Sequence, residues 1–248
     1  MRKNNTVTHL KTAILVDGGF YRRRAQSVFG DKTAEERAVE LTNYCKRHLN
    51  THGEDNDLYR IFYYDCAPSK KRIYHPFLKQ QVDLGKTDLF EWTTTFLNEL
   101  KKKRKFAIRL GKLAEEQAHY TIRPEVVKKL CNGKLNFTDL QEKDFCLEID
   151  QKGVDMKIGL DIASMAYKQQ VDQIVLISGD SDFVSAAKLA RREGIDFILD
   201  PLGAAIKPDL FEHIDGLRTC DKLYTTHSQR SVSYTHLRAP RDRSLSRM

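Results

Sequence analysis

An α/β fold built on a mostly parallel sheet is the architecture this sequence predicts, and three observations carry it. Short, β-branched apolar runs of strand length recur at Ala13–Val16, Gln173–Ile177 and Ile195–Leu199. Stretches with helical patterning separate them. Each run stops at an acid beside glycine or proline, as in Asp17-Gly18-Gly19, Ser178-Gly179-Asp180 and Asp200-Pro201. That is the usual exit from a buried strand into a loop. A strand–helix–strand–helix–strand order implies parallel pairing through right-handed crossovers.

The first strand is Ala13–Val16. Residues 33–50 read as a helix, with Thr33 as cap, Glu35 and Glu36 in the first turn, and Lys46, Arg47 and His48 in the last. Leu58–Tyr64 is a second strand ending at Asp65, and Pro68 forces a turn. Residues 69–105 read as helical, with Phe77, Leu78, Val82, Phe90, Phe96, Leu97 and Leu100 as apolar positions, and close on the cationic run Lys101–Lys105. Phe106–Leu110 is a third strand and Ala118–Ile122 a short extension, while 123–150 follows no clear period. A helix from Lys152-Gly153-Val154-Asp155 to about Lys168 leads into Gln173–Ile177. A second helix runs to Arg192, with Gly194 as its left-handed cap, and leads into Ile195–Leu199.

At 248 residues the chain suffices for one large α/β domain with appendages. No apolar run approaches the ~20 residues of a membrane span, and Met1-Arg2-Lys3-Asn4-Asn5 is not followed by a signal-peptide core, so a cytoplasmic, membrane-free protein is expected. Five scattered cysteines with no CxxC pair read as free thiols in a reducing compartment, not as zinc ligands. The net charge is +8, of which +4 belongs to 228–248, where five arginines stand against Asp242. That stretch has no apolar period and is expected to be a disordered or artefactual tail.

The acids carry the chemistry. Parallel strands end on one side of their sheet, and ligands bind outside those ends. Asp17, Asp65, Asp180 and Asp200 are therefore brought to one edge, although each has a simpler reading as a turn or capping residue. Carboxylates forced together repel, and a cation relieves them. An oxygen-only set without nearby His or Cys suits Mg²⁺ or Mn²⁺. Such ions polarise a phosphodiester and lower the pKa of bound water. Asp155 and Asp161 are six apart, about 240° around a helix, so either Asp155 sits at the helix mouth or Asp161 projects into the cleft.

Three motifs, Ile14-Leu15-Val16-Asp17-Gly18-Gly19-Phe20, Gln151-Lys152-Gly153-Val154-Asp155-Met156-Lys157 with Asp161, and Leu176-Ile177-Ser178-Gly179-Asp180-Ser181-Asp182-Phe183, resemble the NYN domain family, in its LabA-like branch of the PIN-like nucleases. The resemblance covers about 10–205, with a less regular insertion around 66–150 and an extension over 206–227. It implies a PIN-like three-layer α/β sandwich with a mostly parallel sheet and a metal-dependent ribonuclease site. The implied catalytic residues are Asp17, Asp155, Asp161, Asp180 and Asp182, with Asp17, Asp155, Asp180 and Asp182 as ligands of Mg²⁺ or Mn²⁺. Lys152 and Ser178 are the implied phosphate-side neighbours. Many members carry Asn where this chain has Phe20, which bears on turnover.

Arg22, Arg23 and Arg24 follow Asp17 closely and are candidate phosphate contacts, as is Lys101–Lys105, while Tyr21, Tyr63 and Tyr64 are candidate base platforms. Gly111-Lys112 lacks P-loop spacing. RNA is the expected partner, and a homo-oligomer is compatible with the sequence. A metal-dependent ribonuclease is the leading reading. A non-catalytic RNA-binding module is the alternative. A phosphotransfer enzyme is disfavoured because Gly19 stands where a second acid would follow the first strand.

Overall fold

The computed structural model describes residues 9–51 and 54–220, so the expectation for 228–248 lies outside the described residues. The first strand, β1 (Lys11–Asp17), is followed by helices α1 (Gly18–Phe29) and α2 (Ala34–Arg47). A short ribbon, β2 (Asn50–Thr51) and β3 (Glu54–Asp55), leads into the long strand β4 (Asp57–Cys66). A hairpin of β5 (Arg72–His75) and β6 (Gln80–Asp83) precedes α3 (Asp88–Lys101) and β7 (Phe106–Leu113). Next come β8 (His119–Ile122), α4 (Pro124–Cys131), β9 (Phe145–Glu148) and β10 (Gln151–Lys152). The chain closes with α5 (Val154–Tyr167), β11 (Gln173–Ile177), α6 (Val184–Arg192), β12 (Asp196–Asp200), α7 (Pro208–Glu212) and β13 (Gly216–Leu217).

Seven strands form the central sheet in the order β10-β7-β4-β1-β11-β12-β13. All neighbours pair in parallel except β10, which runs antiparallel to β7. The mixed α/β architecture with a largely parallel sheet is therefore as expected. β1 lies at the centre, and its register with β4 and β11 sets Val16 opposite Tyr63 and Ile177. Alternation along each strand divides the core in two. Ala13, Leu15, Phe62, Tyr64, Leu176 and Leu199 pack beneath α5 and α6. Ile14, Val16, Ile61, Tyr63, Val175, Ile177 and Ile198 pack beneath α1, α2 and α3. Strands covered on both faces read as continuous apolar runs, which is why they were visible in the sequence.

Two expectations are corrected. Residues 69–105 are not one helix. Arg72–His75 alternates exposed and buried positions, pairs with Gln80–Asp83, and turns through Pro76, so only Asp88–Lys101 is α-helical, capped by the Thr87 hydroxyl. The segment after β1 is not a loop: Asp17 accepts a hydrogen bond from the Phe20 amide and caps α1 directly. The Thr33–Glu36 capping box and the left-handed Gly194 (φ 83°) are as expected. The five cysteines are free. Among the described residues, no helix is long and apolar enough to cross a membrane.

One glycine positions the edge on which the acids lie. Strand β10 crosses β7 so closely that a Cβ on Gly111 would stand 2.6 Å from the Lys152 carbonyl and 2.9 Å from Val154 Cγ2. Gly153 (φ 78°) then turns the chain into α5. Gly159, in the middle of α5, faces open space. Gly111→Ala should therefore cost about 1–3 kcal/mol by overpacking. Gly159→Ala should stabilise by roughly 0.5–1 kcal/mol by restricting the unfolded chain. Denaturant unfolding of the two variants checks the opposite signs.

Candidate functional site: the acidic edge of the sheet

The parallel strands deliver acids to a single edge, and hydrogen bonding sorts them into two kinds. Asp200, at the end of β12, is fully buried and saturated. It accepts from the Tyr44 hydroxyl, the Leu202 amide (2.8 Å) and Thr219 Oγ1 (3.1 Å), and its Oδ2 lies 2.9 Å from His48 Nε2. Asp65, at the end of β4, is equally buried. It pairs with Arg22 (3.1 Å) and accepts from the Tyr63 hydroxyl (2.9 Å), its neighbour's amide, and Gln151 Nε2 (3.4 Å). Both are structural acids: Asp200 caps its own turn through the Leu202 amide, as expected, whereas Asp65 lies within β4 and not in a turn.

The second kind forms no ion pair among the described residues, although the charges of Arg22 and Arg23 reach Asp17. Asp17, at the end of β1, accepts only neutral donors: the Phe20 amide at 3.0 Å on Oδ1 and the Ser178 hydroxyl at 3.1 Å on Oδ2. Burial pushes its pKa up against the pull of those hydrogen bonds, and the charge of Asp155 pushes it the same way. Asp155 lies in the first turn of α5 and is exposed. The protein around it still withdraws water, and with Asp180 and Asp182 nearby its pKa is raised too. Asp180 caps the short 3-10 turn Ser181–Phe183 by accepting from the Asp182 amide at 3.1 Å, and both acids are exposed. Asp17, Asp155, Asp180 and Asp182 thus form one electrostatically coupled group drawn from three segments. The capping reading holds for Asp17 and Asp180, yet capping leaves their negative charge in place.

Asp161 stands apart from that group. One and a half turns further along α5, it accepts from the Tyr64 hydroxyl (2.8 Å) and pairs with Arg109 Nε (3.1 Å), tying α5 to β4 and β7. The helix therefore separates the two acids of the middle motif, with Asp155 at its mouth and Asp161 against the sheet.

The candidate RNA contacts are sorted in the same way. Ser178 is fully buried, and its hydroxyl is spent on Asp17 while its oxygen accepts from the Asp180 amide (3.3 Å). Its hydroxyl therefore orients Asp17 and the turn that carries Asp180. Arg22 is committed to Asp65, and Arg24 donates to the Leu202 carbonyl (2.8 Å). Arg23 and Lys152 remain exposed, and the Arg23 charge acts on Asp17. Tyr21, Tyr63 and Tyr64 are core residues whose hydroxyls bond Glu40, Asp65 and Asp161. Lys101–Lys105 precedes β7 and so lies at the opposite, amino-terminal edge of the sheet. The Phe20 ring occupies the space above Gly179, where a Cβ would stand 2.6 Å from it. It joins the turns carrying Asp17 and Asp180. Gln151 was not singled out from the sequence; it lies beside Gly19 and reaches Asp65, and only the antiparallel return of β10 brings it there.

The donor chemistry suits a hard divalent cation, since every side chain is a carboxylate and the mutual repulsion is relieved by positive charge. Among the described residues, no three His, Cys, Asp or Glu side chains stand as a ready-made metal cage. A hard divalent ion that keeps several waters and takes only one or two carboxylates does not require such a cage. A concavity of about 650 Å³ lies on α2 between Lys32, Glu40 and Arg47 and shares no residue with Asp17, Asp155, Asp180 and Asp182.

Three comparisons bear on this chain. No curated protein matches it. A solved structure from Vibrio parahaemolyticus RIMD 2210633, a protein of unknown function, is 14% identical and covers 90% of this chain and 98% of its own, with a TM-score of 0.44. Residues 94–206, which include Asp155, Asp161, Asp180 and Asp182 but not Asp17, match the model of the NYN domain, a PIN-like nuclease-type family.

Proposed function

We propose that this protein is a divalent-metal-dependent ribonuclease of the LabA-like branch, with a PIN-like domain spanning residues 10–205 that hydrolyses RNA phosphodiester bonds. The observation that carries the reading is the coupled, uncompensated carboxylate group of Asp17, Asp155, Asp180 and Asp182 at the carboxyl edge of the sheet. Asp17, Asp155 and Asp180, with Asp182 beside them, would hold Mg²⁺ or Mn²⁺. The ion, when bound, supplies Lewis acidity to the phosphoryl group and a lowered pKa for a water.

The chain's own residues do the rest. Ser178 and the Phe20 amide fix both oxygens of Asp17, so its carboxylate is presented in one orientation. Exposed Arg23 and Lys152 draw a phosphate toward an edge that would otherwise repel it. Asp161 acts as a positioning residue, since its pairing with Arg109 and Tyr64 seats the helix that presents Asp155. A cytoplasmic location goes with this reading. A second reading, a non-catalytic RNA-binding module, draws on Phe20, whose ring fills the place of an amide beside Gly179. RNA binding without Mn²⁺-dependent cleavage would favour it.

Asp17→Asn and Asp180→Asn should each lower Mn²⁺-dependent RNA cleavage by at least about a hundredfold, with the fold retained by circular dichroism. Wild-type rates in both variants would remove these residues from the site. Ser178→Ala removes a hydrogen bond that lowers the pKa of Asp17. The acidic limb of its rate–pH profile should therefore shift to higher pH, with Ser178→Thr restoring it. Stability gives an independent check. Asp155 has a folded-state pKa above its unfolded value. The folded state thus holds the extra proton, and stability falls as pH rises from the ordinary aspartate range through the raised pKa. In metal-free buffer at neutral pH, Asp155→Asn should melt at a higher temperature than the wild type, and the difference should vanish at acidic pH.

A further inference from the structure

Two hairpins rise from the same edge of the sheet as the acids. The β5–β6 hairpin leaves the carboxyl end of β4, and the β8–β9 hairpin leaves that of β7. They are joined by an aromatic cluster in which buried His75 lies 4.2 Å from the Tyr120 ring and 5.5 Å from Phe145, with Phe77 5.8 Å from Phe145. Lys71 Nζ bonds the Glu115 carbonyl at 2.5 Å and pins the first hairpin to the second. The chain then returns through β10, where Gln151 touches Asp65 and Gly19. The arm is therefore fixed to the acidic edge.

The outer side of this arm has no structural explanation. Its β5 strand points Ile73 and His75 inward and Arg72 and Tyr74 outward. Tyr74 is 52% exposed opposite Gln81, and Phe77 in the turn is 41% exposed. From Pro68 to Lys86 the cations Lys70, Lys71, Arg72, Lys79 and Lys86 face a single acid, Asp83. Arg72 meets Asp83 only in an open pair at 3.4 Å, which a phosphate can displace. Exposed aromatic rings among cations that outnumber their acids are the chemistry that grips a single strand, with bases stacked on the rings and phosphates on the charges. The hairpin lies outside the stretch matched by the NYN model.

We propose that the β5–β6 hairpin is a docking surface for single-stranded RNA, with Tyr74 as a base platform and Arg72 and Lys79 as phosphate contacts, feeding the strand to the acidic edge. This rests on the ribonuclease reading of that edge. The test uses the full chain in EDTA and a fluorescently labelled oligouridylate about ten nucleotides long, with anisotropy as the readout. Tyr74→Ala should weaken binding roughly fivefold to a hundredfold, while Tyr74→Phe keeps it. Arg72→Ala should reduce the salt dependence by about one counterion. Melting temperatures of these exposed variants should match the wild type. The proposal is overturned if the wild-type chain does not bind the oligonucleotide, if Tyr74→Ala binds as the wild type does, or if Tyr74→Phe loses as much as Tyr74→Ala. The two readings separate cleanly. If Asp17→Asn still cuts RNA, the site assignment fails, while a Tyr74-dependent affinity stands.

Discussion

A carboxylate drawn out of water must be hydrogen-bonded, paired with a cation, or held at an energetic cost. The carboxyl edge of this sheet applies that constraint several times over. Asp65 and Asp200 meet it fully. One has a guanidinium, a phenol and an amide; the other has a phenol, an imidazole, a threonine and an amide. Asp17 meets it only in part, with neutral donors, and Asp155 has no hydrogen-bonded or ion-paired partner among the described residues. The difference between the two kinds of acid defines the site more sharply than proximity does, because a fold has no structural reason to collect charges that it leaves uncompensated.

The rest of the architecture maintains that imbalance. Phe20 bridges to Gly179 and holds the first and last motifs together. Gly111 lets β10 pass close enough to β7 for Gly153 to turn the chain and start α5 at the edge. The Asp161–Arg109–Tyr64 contact then seats that helix on the sheet. Asp155 thus owes its place to an antiparallel strand of two residues and two glycines. On the proposed reading, a cation bound at this edge would stabilise the folded state by supplying charge to those carboxylates.

Much of this was legible in the sequence because it depends on local rules. Strands buried on both faces appear as apolar runs, so β1, β11 and β12 and their terminal acids could be read directly. The Thr33 box and Gly194 follow from capping chemistry. What escaped depends on contacts distant in sequence. The β5–β6 hairpin was hidden because its outer face is polar and its inner face packs on aromatics from residues 120 and 145, leaving no period of its own. The Gly18-Gly19 pair disguised α1 as a loop, although Asp17 three residues before Phe20 is a capping pattern. The split between Asp155 and Asp161 could be posed from helix geometry, but it took Arg109, 52 residues away, to engage one of them. Likewise, the partners of Ser178 and Arg22 lie across the sheet, at Asp17 and Asp65, and could not be read from local sequence.

On the proposed reading, the carboxylates without ion pairs, and not the saturated ones, take up the cation. Anomalous diffraction from Mn²⁺-soaked crystals tests it most directly. A peak is expected at the edge bounded by Asp17, Asp155 and Asp180, with Asp161 still on Arg109. A peak coordinated by Asp161, Asp65 or Asp200, or no peak at that edge at saturating Mn²⁺, would contradict it.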